Sequence, residues 1–457
     1  MPSVTNVNGY GAPGGRKSGL WETLRHWMVP GLGVKRWFGL AILGTALIGL
    51  GVAIVLLDIY RAYPQSNILP VFSLMALPRW LRAVVFGAAG LAFLVYGMFR
   101  LNQSLLAPYM RPGRPVARAV AEHRRLGRGP KIVAIGGGNG LATLLRGLKE
   151  HTGNLTAIVS VADDGGSSGR LRRSLGIPPP GDLRNCLAAL SDDEDLLTQL
   201  FRYRFAQGDD LDGHAFGNLF IAALTGVTGS FDEGLLEAAR ILGIRGQVLP
   251  ATLADVALVA DKTPLADAQA IRIQGESRIP GMPGQVRTVH LEPNDPPAYP
   301  GSIKAILAAD MIVLGPGSLY TSVLPNLLVP DLALAIRASR AFKVQVCNIA
   351  NQPGETDGYP AAAHLKAVEE HVGRGLVEML LVNDRLDIPA PEVVRYVPPP
   401  SGPLSVSVFA ADLVDPQRPW RHAPAKLAAA LIQMLEERTG PLESPTLLGE
   451  RLQPGLN

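Results

Sequence analysis

Short apolar runs alternate with helical segments from Lys131 onward, and this alternation constrains the fold more than any other feature of the sequence. Four runs are continuous and rich in β-branched and aliphatic residues, as in strands buried on both faces: 132–135, 155–161, 311–314 and 342–346. Strands that alternate with helices predict an α/β fold with a doubly wound, mainly parallel sheet. We expect a ligand at the carboxyl ends of these strands.

The composition excludes several other classes of protein. The chain has 457 residues, 47% of them hydrophobic, which is enough for more than one folded unit. Its two cysteines, Cys186 and Cys347, do not have the spacing of a zinc site or a disulfide framework. The net charge is only +4, and many of the surplus arginines lie near apolar stretches at the N-terminus. We therefore expect no nucleic-acid binding, which requires a basic face on the folded domain.

Two apolar stretches near the N-terminus predict a transmembrane hairpin. Residues 38–57 are uncharged and long enough to cross a bilayer as a helix, and residues 83–99 are near the lower length limit. A buried pair of core helices is the alternative. Lysine and arginine are denser outside the two stretches than in the loop between them, so both termini are expected on the cytoplasmic side.

This pattern divides the chain into four parts. We predict a flexible cytoplasmic tail at residues 1–37, a transmembrane hairpin at 38–99, a basic juxtamembrane linker at 100–130 and the α/β domain at 131–457. The expected location is the cell membrane, with two spans and the main domain in the cytoplasm.

The first glycine-rich turn lies between a predicted strand and a predicted helix, and it consists of Gly136, Gly137, Gly138, Asn139 and Gly140. Such a turn exposes backbone N–H groups at the positive end of a helix dipole, where a phosphate can bind. It does not match the strict dinucleotide fingerprint, and it has no Walker lysine. A tight connection without a ligand is the alternative.

A second motif follows the second predicted strand and combines carboxylates with glycines, hydroxyls and a guanidinium. Asp163 and Asp164 can hold a ribose hydroxyl or a divalent cation, and Mg²⁺ is the candidate cofactor. The groups suited to phosphate are Gly165, Ser167, Ser168 and Arg170. Alternatively, Asp163, Asp164 and Arg170 pair with one another and only brace the loop.

Further polar residues are predicted to line the same site. Asp182 can cap a helix, but capping does not explain the cation and the amide beside it. Tight turns and surface ion pairs are the alternatives for this group. The residues are Gly181, Asp182, Arg184, Asn185, Asn218, Gly315, Gly317, Ser318 and Tyr359. No catalytic residue can be assigned, because no nucleophile with a partnering base is evident.

Six motifs in this order resemble the YvcK-type gluconeogenesis factor family, a CofD-like family related to the 2-phospho-L-lactate transferases. They read GGGNGLATLLRGLK, VADDGGSSGRLR, PPGDLRN, HAFGNL, LGPGSLYTSVLPNLLV and NQPGETDGY. The resemblance covers the chain from about residue 131 to the C-terminus. Two features depart from the family pattern: Asn139 stands where a threonine is usual, and most members lack an N-terminal hairpin.

The resemblance implies a Rossmann-like domain that binds a UDP-sugar such as UDP-N-acetylglucosamine. It also implies a role in carbon partitioning toward the cell wall and in cell shape, without an established catalytic activity. Residues 136–140, 163–170 and 181–185 would line the nucleotide site, with 315–318 and 351–359 completing it. In the transferase relatives an acid pair matching Asp163 and Asp164 helps to hold a divalent cation. A Mg²⁺-dependent phospho-lactate-type transferase using a nucleotide diphosphate donor is the alternative function, and a homo-oligomer is left open.

Overall fold

The structure of the protein is a computed structural model that describes two main parts of the chain. These are residues 78–106 and 125–440, except 192–195, 209, 265–269, 390 and 392–393, together with six positions between 45 and 61. The chain divides into two compact units, Met1–Arg124 and Arg125–Asn457. The motifs singled out in the sequence all lie in the second unit.

The described part of the first unit contains helix α1 (Arg79–Leu106). Its segment Trp80–Met98 has a mean hydropathy of 1.8, and none of it is buried. Nineteen residues at 1.5 Å each match the hydrocarbon thickness of a bilayer. By length and composition this helix can cross a membrane, and it contains most of the second predicted span. The first predicted span, residues 38–57, lies outside the described residues except for five positions.

Two bent helix pairs in the second unit also pass that test of length and apolarity when their members are counted together. They are Phe216–Thr228 with Phe231–Ile241, bent by 120°, and Leu319–Leu327 with Pro330–Ala338, bent by 74°. Both pairs belong to the α/β unit.

The second unit is built on a seven-stranded sheet in which every neighbouring pair of strands is parallel. The order is β10-β9-β8-β7-β1-β2-β3. The strands are β1 (Ile132–Gly136), β2 (Leu155–Val159), β3 (Gln247–Pro250), β7 (Met311–Leu314), β8 (Phe342–Val346), β9 (Met379–Asn383) and β10 (Ser407–Ala411). This confirms the predicted α/β class and Rossmann-like core. The order reverses between β1 and β7, which creates a crevice at their carboxyl ends.

Apolar residues explain why β1 and β7 form, whereas β8 alternates apolar residues with Lys343 and Gln345. All residues of β1, β7 and β8 are buried, as expected of parallel strands covered on both faces. The described helices of the unit are α2 (Gly138–Leu148), α3 (Gly166–Leu175), α4 (Gly181–Leu190), α5 (Leu196–Arg202), α6 (Phe216–Thr228), α7 (Phe231–Ile241), α8 (Pro300–Leu307), α9 (Leu324–Leu327), α10 (Pro330–Ala338), α11 (Ala361–Val372) and α12 (Pro424–Thr439).

Two smaller β elements were not predicted, and both contribute to the site. An antiparallel sheet in the order β5-β4-β6 is formed by β4 (Ala257–Thr263), β5 (Ile271–Gln274) and β6 (Gln285–Glu292). A 3₁₀ turn, Glu276–Arg278, connects β5 to β6. The antiparallel pair β11 (Val414–Asp415) and β12 (Arg418–His422) precedes α12. Except for the apolar run 256–260 at β4, these strands lack the continuous apolar runs that predicted the large sheet.

Candidate functional site

A cavity of about 530 Å³ lies at the crevice between β1 and β7. The glycine-rich turns that follow these two strands meet here: a Cβ atom on Gly140 would lie 2.5 Å from the carbonyl oxygen of Pro316. Only glycine permits this approach of two backbones. The lining residues are 137–140, 143, 276, 316–318, 321–322, 348–353, 355, 394 and 420–422. The predicted residues Gly137, Gly138, Asn139, Gly140, Gly317 and Ser318 are among them.

The first glycine turn begins helix α2, and a carboxylate already occupies one of its amides. The N–H of Gly138 donates to Asp182 Oδ2 at 2.7 Å. Burial, followed by repulsion from Asp163, raises the pKa of Asp182 to about 6. A phosphate at this turn would therefore bind beside a carboxyl group that can be protonated. Asp182 is thus joined to the turn, as the predicted common site requires.

Three carboxyl groups converge beside the cavity. Asp163, Asp164 and Glu276 each place an oxygen within 4.8 Å of the other two. Asp163 Oδ1 accepts a hydrogen bond from the N–H of Gly165 at 2.9 Å, and Asp164 Oδ1 accepts one from the N–H of Ser277 at 2.9 Å. These backbone bonds fix both carboxylates, so the acid pair is oriented before any ligand arrives. We call these three residues the acid cluster.

Electrostatics make the acid cluster suitable for a cation. Burial, followed by repulsion from Asp163, Asp182 and Glu355, raises the pKa of Glu276 to about 8. Burial also raises the pKa of Asp163. Arg172 does not pair with the cluster, because its Nε donates to Asp255 Oδ1 at 2.7 Å. A divalent cation would relieve the repulsion between these carboxyl groups. Carboxylate oxygens are also the ligands that Mg²⁺ and Ca²⁺ prefer, so the residues present fit a divalent cation.

Most of the second unit matches one known protein family. The profile described as 2-phospho-L-lactate transferase CofD matches residues 132–413, which include all seven strands of the large sheet. The chain belongs to the CofD family.

Individual relatives within the CofD family extend this result. A Bacillus subtilis protein named gluconeogenesis factor is 45% identical over 323 residues, covering 68% of this chain and 100% of its own. A Nostoc sp. relative is 45% identical over 432 residues, covering 89% of this chain and 91% of its own. That coverage is more than residues 125–457 alone can supply, so part of the N-terminal unit is shared. The predicted resemblance to gluconeogenesis factors is confirmed.

A solved structure supports the fold of this CofD family member. A crystal structure of a Bacillus halodurans protein superimposes with a TM-score of 0.62 at 44% sequence identity. It covers 66% of this chain and 99% of the other.

Several predicted site residues lie outside the cavity lining. Arg170 Nη2 donates to the carbonyl oxygen of Asp212 at 2.7 Å, so this guanidinium is directed at the loop before α6. Asn218 Nδ2 donates to Ser167 Oγ at 3.1 Å, and His214 Nδ1 lies 3.0 Å from the same oxygen. These contacts join α3 to α6. The structure gives Ser167, Arg170 and Asn218 packing partners, and their role as ligand contacts stays a prediction.

Other predicted residues support the site from behind. Ser168 on α3 hydrogen-bonds to Asp163 and lies against Gly181, the first residue of α4. Ser168 and Gly181 therefore support the acid cluster. Arg184 Nη2 donates to Asn185 Oδ1 at 2.7 Å. The remaining four residues are Gly136 at the end of β1, Gly165 at the start of α3, Gly315 after β7, and Tyr359, whose hydroxyl lies 3.0 Å from that of Tyr320.

The structure adds residues that sequence reasoning missed. Glu276 reaches the acid cluster from the antiparallel sheet, and Trp420 and Arg421 reach the cavity from β12. Nothing local in the sequence marked these three residues. Glu355 lies within the predicted 351–359 segment but was not singled out. Its Oε1 accepts a hydrogen bond from Ser318 Oγ at 2.6 Å.

Proposed function

We propose that the cavity binds a UDP-sugar, such as UDP-N-acetylglucosamine, or a related nucleotide diphosphate. The observation that carries this proposal is the acid cluster at the edge of a cavity lined by two glycine turns. Glu276 belongs to both the cluster and the cavity lining. A cation held by the cluster can therefore face a diphosphate in the cavity. Mg²⁺ typically binds through one or two carboxylates together with the phosphates of its ligand.

The far wall of the cavity supports a nucleotide-type ligand. Arg421 supplies a cation that can neutralise phosphate, and Trp420, 38% exposed, offers an aromatic face for stacking. Asn348 fixes the second glycine turn, because its Nδ2 donates to the carbonyl oxygen of Gly317 at 2.8 Å. The cavity thus combines backbone amides, a cation and an aromatic ring in one volume.

The proposed biological role is regulatory. Curated relatives carry the name gluconeogenesis factor, and we propose a comparable role for this chain in carbon partitioning toward cell-wall synthesis and in cell shape. The polar groups around the cavity are arranged for binding, and no side chain could be assigned as a nucleophile from the sequence. Ligand occupancy of the cavity would be the signal that this regulator reads.

We further propose that the regulator is anchored in the cell membrane. The apolar, unburied segment Trp80–Met98 supports one span, and residues 38–57 would supply the other. The excess of lysine and arginine outside the two segments supports cytoplasmic termini and a cytoplasmic α/β domain. Proteolysis of sealed membrane vesicles of known orientation tests this: the domain should be cleaved only from the cytoplasmic face. Release of the full-length protein by a salt wash would contradict the anchor.

Calorimetry on the full-length protein in detergent tests the ligand. UDP-N-acetylglucosamine should bind in the presence of Mg²⁺, and chelation should weaken binding by at least about tenfold, as expected when a charged contact is lost. Asp164→Asn should reproduce the effect of chelation. The matched control, Asp387→Asn, changes a carboxylate that is 79% exposed and should bind normally. A folded protein that binds no nucleotide sugar would refute the proposal.

A second candidate function is a Mg²⁺-dependent transferase of phosphorus-containing groups. The acid cluster favours it, because cations that bridge phosphate oxygens stabilise phosphoryl-type transfer without a covalent nucleophile. Membership of the CofD family favours it as well. Incubation with Mg²⁺, phospholactate-type acceptors and nucleotide diphosphate donors, followed by ³¹P NMR, tests it. Product formation that Asp164→Asn abolishes would support a transferase, and unchanged spectra would leave the binding function as the account of the site.

A further inference from the structure

Glu355 lies in the cavity wall with one carboxylate oxygen used and the other unused. The residue is only 5% exposed. Its Oε1 accepts hydrogen bonds from Ser318 Oγ at 2.6 Å and from Thr321 Oγ1 at 3.3 Å. Its Oε2 is buried and has no hydrogen-bond partner among the described residues. A buried acceptor without a donor is unfavourable by about 1–3 kcal/mol, and more when the group is charged.

The protein holds Glu355 rigidly in this position. The ammonium of Lys262, which is fully buried, donates to the carbonyl oxygen of Gly354 at 2.7 Å and to that of Ile279 at 2.9 Å. This lysine therefore joins the loop that carries Glu355 to the turn that carries Glu276. The N–H of Glu355 also donates to the carbonyl oxygen of Gln352 at 3.1 Å. These contacts fix the backbone, and the hydrogen bonds from Ser318 and Thr321 to Oε1 hold the carboxylate itself.

The chemistry of an unpartnered carboxylate oxygen selects what it can bind. An ionised carboxylate is an acceptor only, so it needs an O–H or N–H donor from a ligand. A fully ionised phosphate has no hydrogen-bond donor, and the negative charge of the Glu355 carboxylate would repel it. A divalent cation has a more suitable place in the acid cluster, which contains Asp163, Asp164 and Glu276 but not Glu355. The remaining partner is an O–H or N–H donor on the uncharged part of the ligand, and hydroxyl groups are the donors that a sugar chiefly offers.

We propose that Glu355 determines the specificity of the cavity by accepting a hydrogen bond from a sugar hydroxyl of the bound ligand. This inference rests on the proposed function of the cavity. The hydrogen bond to Glu355 orients the ligand. The diphosphate then lies toward the acid cluster, and the hydroxyl lies at the loops after β7 and β8. The hydroxyl belongs either to the ribose or to the hexose, and both have the same donor chemistry.

The test uses Glu355→Gln in the full-length protein with Mg²⁺ present. The substitution keeps the shape of the side chain and an oxygen that can accept from Ser318, but it replaces the unused oxygen with an NH₂ donor. Affinities for UDP-N-acetylglucosamine, UDP and 2′-deoxy-UDP are measured by calorimetry. Glu237→Gln, which changes a partly exposed carboxylate on α7 that pairs with Arg240, is the matched control. Thermal melts of all three proteins verify that each is folded.

We expect Glu355→Gln to weaken binding of UDP-N-acetylglucosamine by at least about tenfold, the loss of one charged hydrogen bond. If the hydroxyl is on the ribose, the variant loses affinity for UDP to the same extent. The wild-type preference for UDP over 2′-deoxy-UDP then falls in the variant if the contact is to the 2′-hydroxyl and stays unchanged if it is to the 3′-hydroxyl. If it is on the hexose, UDP binding is unchanged. The control variant should match the wild type throughout.

Two results would overturn the inference. If the Glu355→Gln protein bound both UDP and UDP-N-acetylglucosamine as tightly as the wild type does, the carboxylate would not accept a hydrogen bond from a ligand hydroxyl. A loss of affinity that disappears when Mg²⁺ is removed would identify Glu355 as a metal ligand instead. Failure of the wild-type protein to bind any of the three nucleotides is a different outcome, because it refutes the proposed function itself.

Discussion

Replacing Glu276 with glutamine should stabilise the protein at alkaline pH while weakening its affinity for a cation. Burial and the neighbouring carboxyl groups raise the pKa of Glu276 from its ordinary value of 4.5 to about 8. Between these two values the folded state binds more protons than the unfolded state. The free energy of unfolding therefore falls as the pH rises through this window, and the contribution is fully present only below pH 4.5.

The magnitude follows from the size of that shift. A change of one pKa unit corresponds to about 1.4 kcal/mol, so a fully buried Glu276 would lower the free energy of unfolding at pH 8 by roughly 4 kcal/mol. The partial exposure of Glu276 reduces this loss to about 2 kcal/mol. A glutamine side chain does not ionise, so the Glu276→Gln protein should be more stable than the wild type at pH 8 by about 2 kcal/mol. The melting temperature should rise by roughly 3 °C in a folded unit of this size, and the difference should vanish near pH 4.5.

Thermal unfolding of the full-length protein in detergent, measured from pH 5 to 8.5 with and without Mg²⁺, is the assay. The cation should raise the melting temperature of the wild type at pH 8, because it binds only the folded state. It should have a smaller effect on Glu276→Gln. Glu237→Gln serves as the control and should behave like the wild type. Identical pH profiles for wild type and Glu276→Gln would refute the electrostatic reasoning.

Three further substitutions test other parts of the account. Lys262→Met should lower the free energy of unfolding by roughly 2–4 kcal/mol in urea titrations, because it leaves buried carbonyl groups without a donor; an unchanged midpoint would show that Lys262 does not stabilise the loop and the turn that it joins. Gly140→Ala should weaken UDP-N-acetylglucosamine binding by at least about tenfold in calorimetry, because its Cβ would meet the carbonyl of Pro316 and move both turns; normal affinity would show that the turns do not shape the site. Arg170→Ala should change ligand affinity by less than about twofold, since its guanidinium is bound to the carbonyl of Asp212; a loss of tenfold or more would restore the phosphate contact predicted from the sequence.

The central sheet could be predicted because its signal is local. The continuous apolar runs at β1 and β7 and the β-rich run at β8 could be recognised without knowledge of their neighbours, and the observed strands match the predicted ranges closely. The strand order was not predicted, but the rule that ligands bind at the carboxyl ends of the strands was sufficient to locate the crevice.

The composition of the site was only partly predictable, because it depends on contacts between distant segments. Glu276 joins Asp163 only after a small antiparallel sheet folds back, and Trp420 arrives from the last β element of the described chain. The directions of two side chains of the second motif have a local cause. Ser167 and Arg170 lie three residues apart within helix α3, so both face α6 and the loop before it. The motif was treated as a loop, in which this direction cannot be assigned.

The alternative in which Asp163, Asp164 and Arg170 brace one another does not match the observed contacts. Asp164 instead accepts a hydrogen bond from the N–H of Ser277, which places the turn that carries Glu276. Asp164 is therefore braced by the turn that connects β5 to β6, and Asp163 is braced by the N–H of Gly165. A structural role and a cation-binding role are compatible here, because each carboxylate has a second oxygen.

A crystal structure of the protein with Mn²⁺ and UDP-N-acetylglucosamine tests the central claim most directly. Anomalous scattering locates Mn²⁺, which takes the same oxygen ligands as Mg²⁺. The account predicts an anomalous peak among Asp163, Asp164 and Glu276, with the diphosphate in the cavity and in contact with the ion. A diphosphate bound elsewhere, or a nucleotide in the cavity with no ion at the acid cluster, would contradict it.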